Sequence, residues 1–183
     1  SGIHHPGKEE VIESQPIDEL LVADNIMKET SRPVVFVKNM AHHLALMDQS
    51  FLNQVTNIFL IRSPGQILAS YAQVIETPTL WDIGIEYQYN LFNFLKEKGE
   101  LPLVMDSGLL LQNPESVLRQ ACQRLDIPFM NTMLHWQPGP KPFDGVWAKY
   151  WYNNVHKSTG FEKQPTSNRP LPEHLISLNE KAE

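Results

Sequence analysis

One cysteine among 183 residues, Cys122, leaves the chain no internal disulfide, which sets it apart from the stapled secreted scaffolds. It falls on an apolar helical face with Leu118 and Leu125, a pattern that predicts a buried thiol rather than a nucleophile and a reducing compartment. Long apolar runs are missing as well. No stretch approaches the roughly 20 residues a helix needs to cross a bilayer, and the opening SGIHHPGKEE lacks the apolar core of a secretory signal. A cytoplasmic location without a membrane partner is the expectation. Positive charge is in deficit, with a formal net charge of -6, which argues against nucleic acid as a partner while leaving room for a small basic pocket. No GxxxxGK[ST] and no looser glycine-and-serine turn follows any strand pattern. Metal motifs are equally absent: His4-His5 and His42-His43 are adjacent pairs whose side chains diverge on regular structure, with no HExxH or cysteine cluster beside them. No structural metal is expected.

What is present is ordinary globular composition, 42% apolar and 20% charged, in a length suited to one domain with a substantial core. Residues 1–32 read as a helical lead-in, two short helices or a helix and a loop, broken at Pro16. Residues 33–161 carry the core pattern, and 162–183 form a polar, proline-containing tail with a last helix starting near Pro172. Within the core, three short apolar runs, 34–37 (VVFV), 57–61 (NIFLI) and 103–105 (LVM), predict strands buried on both faces. Helical patterns start at Ser63-Pro64, at Thr79 with Asp82 at capping-box spacing, and at Asn113-Pro114. Strands alternating with helices mean an α/β fold with a parallel sheet.

The most informative segment is IFLIRSPGQILASYAQVI, residues 58–75. A buried strand runs into Arg62, and Ser63-Pro64 then opens a helix, so a helix N-terminus stands at the carboxyl end of a strand. Ligands bind there in open α/β sheets, because free backbone N–H groups and the helix dipole favour an anion. Arg62 adds a planar fork of donors suited to phosphate oxygens. Ser70, seven residues after Ser63, returns to the same side of the helix. The spacing alone leaves open that Arg62 ends a strand and that Ser70 is small where the helix packs.

The ordered segments VFVKNMAHHL, NIFLIRSPGQILASYA and VMDSGLLLQNPESVLRQACQRLDIP resemble the motif series of the sulfotransferases, and GVWAKYWYNNVHKSTGF resembles the close of the domain in a branch of uncertain substrate. The resemblance covers most of residues 34–161. It implies a P-loop nucleoside triphosphate hydrolase-like fold, a three-layer parallel sheet flanked by helices, with the first strand and phosphate loop lying upstream of Ser1. It also implies 3′-phosphoadenosine 5′-phosphosulfate as donor substrate, with Arg62 and Ser70 on its 3′-phosphate. Lys141, Gly145 and Trp147 would fold over the nucleotide as a late loop. The family's lysine-x-histidine is altered here: Met40 stands two residues after Lys38, so His42 and His43 are candidate bases by proximity, with Lys38 offsetting charge on the bridging oxygen.

The activity so implied is sulfuryl transfer to a hydroxyl or amine of a small-molecule acceptor, provided the complete protein holds the upstream loop. Two other readings stand beside it. One is a degenerate, non-catalytic nucleotide-binding or interaction domain. The other is a P-loop small-molecule kinase, which needs the same loop and leaves the spacing of Arg62 and Ser70 unexplained.

Overall fold

The computed structural model describes residues 7–16, 18–29, 32–162 and 169–183, with Leu46 described by its backbone alone. In chain order the helices and strands are α1 (Lys8–Ser14), α2 (Glu19–Lys28), β1 (Ile58–Ile61), α3 (Pro64–Tyr71), α4 (Leu80–Ile83), α5 (Ile85–Glu97) and β2 (Leu103–Asp106). They continue through α6 (Ser107–Gln112), α7 (Pro114–Arg124), α8 (Ala148–Trp151), α9 (Asn153–Lys157) and α10 (Ile176–Ala182). Short 3-10 turns occupy Ala41–Leu46, Ser50–Gln54, Asn131–Met133 and Glu173–Leu175.

The chain forms two compact units. One contains Ser1–Val35 with Phe129–Glu162, and the other Phe36–Pro128 with Lys163–Glu183. The second unit holds the sheet, in which β1 and β2 pair in parallel, Ile58 opposite Leu103 and Ile61 opposite Asp106. The connection between them runs through α3, α4 and α5, as a parallel pair requires. The fold is therefore α/β with a small parallel sheet.

The expected strand at 34–37 is not formed. Its residues take part in no ladder, and Phe36 is 77% exposed. An apolar run records a tendency to burial, whereas a strand also needs a neighbouring backbone to accept its hydrogen bonds. Among the described residues β1 pairs with β2 alone, so the sheet has two strands where the sequence predicts more.

Local capping explains the helices. Thr79 accepts from the backbone N–H of Asp82, and the Asp82 carboxylate accepts from the N–H of Thr79, the reciprocal pair that starts α4. Gly84, in the left-handed region at φ 66, ends α4 and starts α5 in one turn. Asn113 and Pro114 start α7, whose buried face carries Ala121 and the thiol of Cys122. Pro16 separates α1 from α2. A core cluster of Leu68, Ile83 and Leu175 locks α10 against α3 and α4, with Leu68 fully buried. No helix among the described residues is long and apolar enough to cross a membrane.

In the first unit the lead-in is tied to the late aromatic segment. Lys149 pairs with Glu10 at 2.6 Å, and the Tyr150 hydroxyl donates to the same carboxylate at 2.7 Å.

Candidate functional site

The anion site expected at Arg62 would lie where β1 gives way to α3. Pro64 holds the first helical position, and Ser63 precedes it at the N-cap with its side chain making no capping bond. Serine at this position was expected to cap the helix, but the hydroxyl does not engage it. Proline brings no N–H, so the turn relies on its preset φ, and the donors of Gly65 and Gln66 are left without a side-chain cap.

Arg62 leans along the helix: its Nε donates to Gln66 Oε1 at a long 3.4 Å. Gln66 and Ser70 lie one turn apart, offset by only about 40° around the axis, so the guanidinium, the amide and the hydroxyl follow one stripe. The Ser70 hydroxyl has no hydrogen-bond partner among the described residues. No carboxylate pairs with Arg62 among them either. Although the residue as a whole reaches solvent, burial around the guanidinium lowers its pKa, and the charge of Arg169 lowers it further. A cation held without a counter-ion beside uncapped backbone donors fits an anionic ligand. Sequence reasoning missed Gln66, which could have been found from its i+4 spacing to Arg62.

Lys38 and the two histidines belong to the same unit. Lys38 lies in the exposed stretch before the turn at Ala41–Leu46, and His42 and His43 sit on that turn. Their rings meet edge to face with centroids 4.6 Å apart, and His42 also tilts against Trp81 at 6.0 Å. His42 Nδ1 is buried without a hydrogen-bond partner, and it stands 3.0 Å from where a Cβ on Gly84 would project. Burial, then the charge of His43, holds the imidazole below its ordinary pKa of 6.5, with Asp82 pulling weakly the other way. The ring is neutral at pH 7 and can accept a proton; His43 is the more exposed of the two. Asp82 also acts on Tyr71, raising its pKa after burial has done so. This buried carboxylate thus stands within electrostatic reach of both His42 and the far end of α3.

Lys141, Gly145 and Trp147 belong to the other unit. The Lys141 ammonium is engaged with main-chain carbonyls, donating to Gln137 at 2.6 Å and to Pro138 at 3.5 Å. The indole of Trp147 folds back over Gly145, where a Cβ would come within 2.0 Å of the ring. Asp144 accepts from the Lys141 N–H at 2.7 Å and from His156 Nε2 at 2.9 Å, and these bonds hold its carboxyl below the usual range. Each of the three predicted late-loop residues therefore has a local role in shaping the loop. The Asp144 and His156 pair that clasps it could not be paired from sequence.

Open grooves run along α7 and beside β2, and neither includes Arg62, Ser70 or His42. No group of His, Cys, Asp and Glu with a metal-holding arrangement occurs among the described residues, and His4-His5 lie outside them.

Comparison with known proteins gives this site a family. Residues 1–176 match the family described as "Sulfotransferase domain". Two curated relatives from Arabidopsis thaliana, branched-chain-amino-acid aminotransferase-like proteins 1 and 2, are each 32% identical to the chain, over 100% and 88% of its length. The chain spans about a third of each, 33% and 29%. A solved sulfotransferase domain from the curacin biosynthetic pathway is 17% identical, with a TM-score of 0.38, over 70% of this chain and 47% of that one. The extent of the family match decides the assignment: the chain belongs to the sulfotransferase domain family.

Proposed function

We propose that the chain is the part of a sulfotransferase that holds the 3′-phosphate of 3′-phosphoadenosine 5′-phosphosulfate, for transfer of the sulfuryl group to a hydroxyl or amine of a small-molecule acceptor. The observation that carries this reading is Arg62: a guanidinium in no ion pair with a described residue, leaning along the stripe that ends at the Ser70 hydroxyl, itself unpartnered among the described residues, at the head of a helix. Arg62 supplies charge and a forked donor set, Ser70 a hydroxyl donor, and the uncapped N–H groups of Gly65 and Gln66 a favourable field for a dianion.

His42 is the proposed base. As the acceptor oxygen or nitrogen attacks sulfur, its proton passes to the imidazole; the new bond to sulfur forms while the sulfur–oxygen bond to the 5′-phosphate breaks, and adenosine 3′,5′-bisphosphate departs. Nδ1 is sealed against Gly84, which makes Nε2 the nitrogen for this role. His43 is the alternative base, and Lys38 offsets charge on the bridging oxygen. The buried thiol of Cys122 supports a cytoplasmic setting.

A second reading, binding without transfer, rests on the same stripe of Arg62, Gln66 and Ser70. Both readings require the 3′-phosphate site. Calorimetric titration with adenosine 3′,5′-bisphosphate and with adenosine 5′-monophosphate tests it: the bisphosphate is expected to bind more tightly. Equal affinities, or no binding of either, would remove the nucleotide assignment.

A further inference from the structure

Leu175, Leu178 and Ala182 seat α10 on the cluster of Leu68 and Ile83, and this brings Asn179 against the first turn of α3. Its Oδ1 stands 3.0 Å from where a Cβ on Gly65 would project, so the glycine is what allows the approach. That oxygen is buried and has no hydrogen-bond partner among the described residues. The other end of the amide is engaged: Nδ2 donates to Glu183 Oε1 at 2.9 Å, which keeps the oxygen turned toward Gly65. Ser63 leaves the head of α3 without a side-chain cap.

An amide oxygen is the negative end of its dipole, and the head of a helix carries partial positive charge. In the empty chain Asn179 therefore lies in a favourable field, although its oxygen accepts no hydrogen bond there. A phosphate oxygen approaching the N–H groups of Gly65 and Gln66 meets the amide oxygen as a like partial charge. Turning the amide to present Nδ2 removes that repulsion, but it loses the bond to Glu183 and brings the amide oxygen onto a carboxylate. We propose that Asn179 is a built-in competitor of the anion at the head of α3, an autoinhibitory contact held by Glu183 that a phosphate has to displace. This rests on the reading of Arg62 given under Proposed function and adds to it the side chain that opposes binding.

Calorimetric affinities of the full chain for adenosine 3′,5′-bisphosphate and adenosine 5′-monophosphate read this contact. Asn179→Ala should tighten the bisphosphate by about threefold to tenfold, the scale of one net hydrogen bond. Glu183→Ala, an exposed change that leaves the core untouched, should tighten it by less. Asn179→Asp, which puts a full negative charge in the same place, should weaken it by about threefold or more. The monophosphate should stay within about twofold of the parent in all three variants, too small a change for a lost or gained bond. If neither Asn179 variant changes the bisphosphate while Arg62→Ala still loses it, Asn179 does not oppose the anion and only the reading of Arg62 survives. A weaker bisphosphate in Asn179→Ala, or equal shifts for both nucleotides, would likewise overturn the proposal. If the parent chain does not prefer the bisphosphate, the reading of Arg62 fails and the competitor with it.

Discussion

His42 illustrates how much a single side chain's surroundings decide. Its imidazole is pressed between Gly84, His43 and Trp81 on a 3-10 turn, and burial leads the forces that hold its pKa below 6.5. The consequence for stability has a definite sign. As pH falls below about 6.5, the unfolded chain takes up a proton that the folded chain resists, so this residue costs stability on the acid side and nothing above it. The urea midpoint should therefore fall between pH 7 and about pH 5, and His42→Gln should show a smaller fall; identical falls in the two proteins would contradict this account. The sequence placed a histidine pair near Lys38 but could not distinguish its members, because the difference lies in Gly84 and Trp81, some forty residues away. Lys141 shows the same limit. A lysine in a proline-rich loop reads as a phosphate ligand, yet its ammonium here is bonded to the carbonyls of Gln137 and Pro138.

Elements whose start is written within four residues were legible: Thr79 with Asp82, Asn113 with Pro114, and Pro64 after the first described strand each open a helix where the spacing predicts one. Residues 34–37 were not, since a strand is defined by a partner and the run specifies only that it is apolar. The seating of α10 on α3 was equally hidden, because Leu175 and Leu68 are far apart in sequence and meet only in the core. Leu68 is fully buried, and Leu68→Ala should cost about 2–5 kcal/mol by the sum of lost transfer energy and residual cavity. A chemical denaturation midpoint checks it, and a loss under about 1 kcal/mol would mean that the cluster does not anchor α10.

For the whole molecule, the net charge of -6 and the proposed anion site are compatible because charge acts locally: Arg62, in no ion pair with a described residue, stands at the head of α3 inside an acidic chain. The chain spans about a third of the length of the curated relatives it matches. Its central claim is that Arg62 recognises a 3′-phosphate. The most direct measurement removes each partner in turn: affinities of the parent chain and of Arg62→Ala for adenosine 3′,5′-bisphosphate and for adenosine 5′-monophosphate, in one calorimetric cycle. The account predicts that Arg62→Ala loses about 1.5–3 kcal/mol with the bisphosphate and almost nothing with the monophosphate, the signature of a charged hydrogen bond to the group that differs. Equal losses for the two nucleotides, or no loss for either, would contradict it.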